Sequence, residues 1–188
     1  LVLISGEAGV GKSTLAEALC GEAAAQGARV LVGRCYDLTE TPPYGPWTEV
    51  RAQFPPSPDL PLLPSALHTD AGSSAQFFAE VRDFFSAASA RQPLALFLDD
   101  LQWADPASLR LVSLLLTDPA RGHLLLVGAY RDQEVSAWDL LPLTIAELRE
   151  QGAAVGEIKL APLDLASAER LVADTLGVPY DWVTMDNS

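Results

Sequence analysis

The sequence predicts an α/β fold, a parallel sheet with helices on both faces, and three observations carry that reading. Short apolar runs alternate with amphipathic helical stretches along most of the chain. Two of the runs show no alternation of polar and apolar residues, the pattern of strands covered on both sides. The first run, residues 1–5 (Leu-Val-Leu-Ile-Ser), passes through a glycine-rich loop directly into a helix.

That loop, Gly6-Glu7-Ala8-Gly9-Val10-Gly11-Lys12-Ser13-Thr14, satisfies G-x-x-x-x-G-K-[S/T] between an apolar strand and an amphipathic helix, the context that gives the pattern meaning. Gly6, Gly9 and Gly11 let the backbone turn tightly and approach an anion, so that successive N–H groups converge on phosphate oxygens at a helix N-terminus. In this loop class Lys12 reaches the β- and γ-phosphates, the Ser13 hydroxyl is placed for Mg²⁺ and Thr14 lies near the α-phosphate. The alternative, a glycine-rich turn with Lys12 merely solvated, is disfavoured by the correct flanks.

The 188 residues, 49% of them apolar, suffice for one α/β domain and a stub. The chain opens inside a strand with Leu1 and is expected to be a piece of something longer. With 12 basic against 25 acidic residues, a net charge of −13, the surface repels a polyphosphate backbone, which argues against direct nucleic-acid binding by this piece. No apolar run approaches the length of a membrane span. Cys20 and Cys35 lack metal-ligand spacing and read as buried thiols of a reducing, cytoplasmic compartment. His68 and His123 lack the partners of a metal site or a nucleophile relay.

Each element follows in order. Helix one spans about 13–26, with Leu15, Leu19 and Ala23 on one stripe, Ala16, Cys20 and Ala24 beside it, and Gly27 as stop. Residues 29–35 (Arg-Val-Leu-Val-Gly-Arg-Cys) read as a strand buried on both faces. Residues 47–54 suit a short helix. Pro55, Pro56, Pro58, Pro61 and Pro64 make the next stretch a semi-rigid insertion loop, a reading preferred to a proline-rich docking ligand. From 74 to 90, Phe77, Phe78, Val81, Phe84, Phe85 and Ala88 fall at helical spacing and read as core.

Residues 94–98 (Leu-Ala-Leu-Phe-Leu) form a buried strand ending in Asp99-Asp100. A parallel strand delivers its last residues to the carboxyl edge of the sheet, where ligands bind in open α/β folds. Asp99 is then positioned to hold Mg²⁺, directly or through water, and Asp100 to orient or deprotonate an attacking water. Asp105 as N-cap with Pro106 behind it starts a helix through Leu109, Val112, Leu115 and Leu116. Trp103 reads as a packing anchor rather than a nucleotide contact.

A fourth strand, residues 124–130, ends in Arg131. At that edge its guanidinium can read a γ-phosphate, or it can pair with Asp132 or Glu134; the sequence leaves both open. A helix carrying Leu141, Ile145 and Leu148 follows, then a short fifth strand at 157–160. Asp164 or Ser167 caps a last helix through Leu171, Val172 and Leu176.

The phosphate loop, the string Leu-Phe-Leu-Asp-Asp-Leu-Gln-Trp-Ala-Asp ending at Asp105, and Val-Gly-Ala-Tyr-Arg ending at Arg131 together resemble the AAA-type P-loop ATPase module of the STAND class, as in large LuxR-type transcriptional regulators and adenylate cyclase or protein kinase fusions. Arg34-Cys-Tyr36 and Pro43-Tyr-Gly-Pro-Trp47 match the segment after the second strand in those proteins. The resemblance implies a P-loop NTPase three-layer α/β/α fold with strand order 5-1-4-3-2, which puts Arg131 near the γ-phosphate. It also implies a core over 1–161 and the start of a truncated helical lid over 162–188, with Pro162 near the adenine. ATP and Mg²⁺ are the implied ligands, fused output and sensor domains and nucleotide-dependent self-association the implied partners. Gln102 stands where many relatives carry His, and Asp100 where many AAA proteins carry Glu. A shorter carboxylate positions water less well, so slow hydrolysis is expected of a signalling switch. Two other functions fit the same loop: a nucleotide-held scaffold with negligible turnover, and a small-molecule phosphotransferase, for which the segment after Pro55 lacks an arginine-rich lid.

Overall fold

The computed structural model describes residues 1–37, 43–54, 60, 61, 63, 64 and 75–179. His68, Pro55, Pro56, Pro58 and the tail after 179 lie outside them.

Five strands, β1 (Val2–Ser5), β2 (Arg29–Arg34), β3 (Leu94–Asp99), β4 (Leu124–Tyr130) and β5 (Gly156–Lys159), form one sheet. Its order is β2-β3-β4-β1-β5 and every pairing is parallel, which is the expected 5-1-4-3-2 read from the other edge. The register matches Ser5 to Tyr130 and to Lys159, and Arg34 to Asp99. All five strands therefore end at one edge, and the loops that follow Ser5, Arg34, Asp99, Tyr130 and Lys159 open side by side.

Helices cover both faces. On one lies α1 (Lys12–Ala25), where Ala16 and Cys20 pack with Ile4, Phe97, Val127 and Ala129. On the other, α2 (Gly45–Ala52), α3 (Ala75–Arg91), α4 (Pro106–Thr117) and α5 (Leu140–Glu150) bury the larger core around Trp47, Phe85, Leu96, Leu111 and Leu148. In α3, Phe77, Val81, Phe84, Phe85 and Ala88 are buried as their spacing predicts, while Phe78 is only partly buried at the margin of that core. The cap at Asp105 forms as read: its carboxylate accepts from Ser108 N at 2.9 Å and Ser108 Oγ at 2.5 Å. That cap also receives Tyr44 N at 3.3 Å, and Trp47 Nε1 donates to Ser108 O, which joins α2 to the start of α4.

Two expectations shift, and a third element forms as read but stands apart. The buried line of α1 runs through Ala16 and Cys20, while Leu15 and Leu19 pack at its margin. Small side chains under the axis let the helix approach the sheet, and the two leucines, one turn apart, pack along one side of that line. The strand β2 is not buried on both faces: it is an edge, with Leu31 and Gly33 covered and Val30 and Val32 half-covered. Its close neighbour is α2, for a Cβ on Gly33 would stand 2.4 Å from Pro46 O, so this crossing needs glycine. The last helix, α6 (Leu165–Leu176), is capped by Asp164 through Ser167 N at 2.8 Å, yet Leu165, Leu171, Val172 and Leu176 are exposed and Ala173 alone of its residues is buried. No helix among the described residues is long and apolar enough to cross a membrane.

Candidate functional site

The loop between β1 and α1 holds the three left-handed glycines that its sequence demands, Gly6 at φ 150°, Gly9 at φ 77° and Gly11 at φ 100°. Gly6 has a second reason to lack a side chain. A Cβ there would stand 2.6 Å from Leu160 O, because the chain leaving β5 crosses beside the loop, where Leu160 N donates to Ser5 O at 2.8 Å. Glu7, Ala8 and Gly9 form the exposed crest, Val10 is partly covered, and Thr14 is exposed on the first turn of α1. Lys12, buried to 7% exposure, curls back into the loop, where Nζ donates to Gly6 O at 3.0 Å and Glu7 O at 2.6 Å. The ammonium is thereby held inside the ring of the loop, which also carries the N-terminus of α1, a position suited to an anion.

The acids at the end of β3 face this loop. Ser13 Oγ donates to Asp99 Oδ2 at 2.9 Å, and Asp99 is itself buried to 8% exposure. Asp99 Oδ1 accepts from Asp100 N at 3.0 Å. Asp100 takes φ 54°, ψ 44°, a left-handed conformation that few residues other than glycine adopt. This turns the chain into a short 3-10 turn, Leu101–Trp103, whose Leu101 is buried against Gly128 of β4. Two cis ligands of an octahedral cation with bonds near 2.05 Å are about 2.9 Å apart. The Ser13 and Asp99 oxygens match that spacing, and both are hard donors. These two side chains would suit a magnesium ion. Among the described residues no cluster of three or more His, Cys, Asp or Glu side chains offers a self-sufficient cage.

Arg131, the residue after β4, reaches the same edge. Its Nη1 pairs with Glu134 Oε1 at 2.7 Å, its Nε lies 3.6 Å from Asp100 Oδ1, and its guanidinium carbon sits 4.8 Å from the centre of the Trp103 ring. Of the two acids open to it in sequence, Glu134 takes it, and that hydrogen bond holds its basicity further above the ordinary arginine value. Asp132 instead pairs with Lys159 at 2.8 Å, and that hydrogen bond holds its carboxyl below the usual range. Trp103 packs on the core and supplies the face on which the guanidinium rests.

Pro162 is exposed, two residues past the crossing at Leu160. The structure gathers Gly6, Lys12, Ser13, Asp99, Asp100 and Arg131 at one edge of the sheet. One participant was not assigned from the sequence: Gln102, whose amide bonds both Asp100 and Arg131. Its signal was the i, i+2 spacing from an acid at a strand end, a spacing that means contact only once a 3-10 turn folds it back.

Behind the acids, Cys35 N donates to Asp99 O at 3.0 Å, extending the β2–β3 ladder. The thiols of Cys20 and Cys35 are free and buried. Burial, reinforced by Asp105, Asp100, Asp99 and Glu49, pushes the Cys35 thiol up to about 12.

A parallel sheet in this order, a lysine-bearing loop opening its first helix and an acid pair on the strand two positions away define a P-loop nucleotide-binding domain. The model of the AAA ATPase domain family matches residues 1–127, and the chain belongs to that family. No curated protein matches it. Solved structures with the same fold include a Walker-type ATPase of Pyrococcus abyssi, 16% identical with a TM-score of 0.55, over 97% of this chain and 56% of that one. Another is AMPPCP-bound DnaA from Aquifex aeolicus, 16% identical with a TM-score of 0.51, over 100% of this chain and 50% of that one. The chain thus spans about half the length of the solved structures it matches.

Proposed function

We propose that this chain is the ATP-binding and hydrolysing switch domain of a multidomain signalling protein of the STAND class, a LuxR-type transcriptional regulator. The observation that carries the nucleotide chemistry is the Ser13–Asp99 hydrogen bond of 2.9 Å, which joins the phosphate loop to the acidic strand end. Family membership implies nucleotide binding, and the ATP analogue held by the DnaA neighbour fits that reading. The regulator assignment rests on the Trp-Ala-Asp-Pro string at 103–106 and the resemblance it carries.

In this reading the amides of residues 6–14 and Lys12 bind the triphosphate, and Ser13 and Asp99 hold Mg²⁺. An ion held there would supply charge neutralisation to the phosphates. Water attacks the γ-phosphorus, the bond to the bridging oxygen breaks and ADP leaves. Asp100 Oδ1 is engaged by Gln102, so Oδ2 is the oxygen that orients the water and takes its proton before passing it to solvent. Arg131 leaves Glu134 to read the γ-phosphate, which makes the site different in its ATP and ADP states. Residues 1–161 form the core and 162–188 begin a lid that places Pro162 near the adenine. Fused sensor and output domains, and self-association in one nucleotide state, complete the switch in the cytoplasm. The net charge of −13 leaves nucleic-acid contact to another domain.

Mg²⁺-dependent phosphate release from ATP tests this, beside nucleotide titrations of the wild type, Lys12→Ala and Asp100→Asn. Release lost in both variants, with binding retained in Asp100→Asn, is the expected result. Tight binding without release by the wild type would replace the hydrolytic switch with a nucleotide-held scaffold. Absence of binding by the folded chain would overturn the nucleotide reading itself.

A further inference from the structure

Gln102 is the middle residue of the 3-10 turn after β3, and its amide spans two strand ends. Nε2 donates to Asp100 Oδ1 at 2.9 Å, and Oε1 accepts from Arg131 N at 3.1 Å. A carboxylate only accepts and a backbone N–H only donates, so chemistry fixes which end of the amide faces which partner. The turn around it is anchored. Leu101 packs so tightly over Gly128 that a Cβ on that glycine would lie 2.3 Å from Leu101 Cδ1. Asp100 keeps its left-handed backbone, a conformation that aspartate tolerates better than most residues with a side chain and that its hydrogen bonds hold in place. Gln102 and Asp99 supply that constraint from the two sides, through the carboxylate and the backbone N–H of Asp100.

We propose that Gln102 is a positioning residue for ATP hydrolysis. By occupying Oδ1 it aims Oδ2 of Asp100 at the attacking water, and through Arg131 N it ties that carboxylate to the strand end that carries the γ-phosphate reader. Arg131 Nε also lies 3.6 Å from that Oδ1, an ion pair without hydrogen-bond contact, so the directional contacts that make the two groups move as one unit come from Gln102. This inference rests on the hydrolytic reading above.

Three substitutions in the full chain separate the two hydrogen bonds from bulk. Gln102→Met keeps the length and removes donor and acceptor. Gln102→Glu keeps an acceptor for Arg131 N and sets a second carboxylate against Asp100. Gln102→His keeps one donor and one acceptor nitrogen. The expected result is a fall in kcat of at least about tenfold for Met and Glu, with the ATP dissociation constant within about threefold of wild type and most of the rate kept by His. A wild-type kcat in Gln102→Met overturns the proposal, as does a loss shared equally between binding and turnover with His no better than Met. Should Gln102→Met fail to fold, Glu against His carries the test, since they differ in the donor to Asp100. A wild type that binds ATP and releases no phosphate overturns the hydrolytic reading and this proposal with it, and that outcome is recognised before any substitution is made.

Discussion

Ser13 and Asp99 stand 86 positions apart in the chain, and the hydroxyl of one donates to the carboxylate of the other at 2.9 Å. One residue lies in the first turn of the first helix and the other closes the third strand. Their meeting follows from sheet order: β4 lies between β1 and β3, and the parallel register brings the ends of all three to one edge.

Because these two oxygens have the spacing of cis ligands on a small octahedral cation, Asp99→Asn should uncouple nucleotide affinity from magnesium. ATP affinity measured with magnesium should fall at least about tenfold, equivalent to about 1.4 kcal/mol, and become nearly insensitive to added chelator. Ser13→Ala should act in the same direction and by less, since it removes a neutral ligand. Competition against a fluorescent nucleotide with and without chelator measures both. An Asp99→Asn protein with undiminished magnesium dependence would remove Asp99 from the ion.

Arg131 is restrained by Glu134 at 2.7 Å, in a pair that is substantially exposed. Exposed pairs contribute about 0–1 kcal/mol, so a triphosphate can displace Glu134 at small cost. Glu134→Ala should therefore raise ATP affinity by up to about fivefold, with ADP affinity little changed. Arg131→Ala removes a charge-assisted contact and should lower ATP affinity roughly tenfold to a hundredfold while sparing ADP. Titrations with both nucleotides give the ratio, and equal losses for ATP and ADP would remove Arg131 from the γ-phosphate.

Gly33→Ala should destabilise the fold. The added Cβ would meet Pro46 O at 2.4 Å, and a backbone oxygen cannot swing aside as a side chain can. A cost of about 1–3 kcal/mol is expected, seen as a fall in Tm of roughly 2–10 °C. Because α2 would move and β1 would not, nucleotide affinity should be retained at temperatures where the variant is folded. An unchanged melting curve would show that α2 moves freely on β2.

The Cys35 thiol gives a pH signature. Its folded value, about 12, lies above that of an exposed thiol, so between pH 9 and 12 the folded chain keeps a proton that the unfolded chain has lost. The stabilisation it contributes is therefore complete below pH 9 and is lost as pH rises toward 12. Cys35→Ser should flatten the decline seen in urea melts from pH 8.5 to 10. In the native wild type this thiol should react with a disulfide reagent at pH 8.5 no faster than the chain opens.

What was legible in the sequence shares one property: it depends on neighbours in the chain. The left-handed glycines at 6, 9 and 11 follow from what the loop backbone must do, and the caps at Asp105 and Asp164 from side chains that reach three residues ahead. The buried face of α3 follows from periodicity, and β3 from its short uninterrupted apolar run. The strand order came from resemblance rather than from any pattern in the residues. The errors fell where burial is set from outside the element. Nothing within 29–35 says that β2 is an edge, and nothing within α1 says that Ala16 and Cys20 take the sheet while Leu15 and Leu19 flank it.

The sequence by itself determined a nucleotide loop, an acid pair ending a buried strand and an alternation of strands and helices, because backbone torsion, capping and periodicity are local. The tertiary structure decided that Ser13 meets Asp99, that Arg131 rests on Trp103 and pairs with Glu134 while Asp132 goes to Lys159, and that Gln102 bridges two strand ends. Hydrogen bonds and ion pairs act over about 3–4 Å, and only the order and register of the parallel strands bring such distant positions within that range.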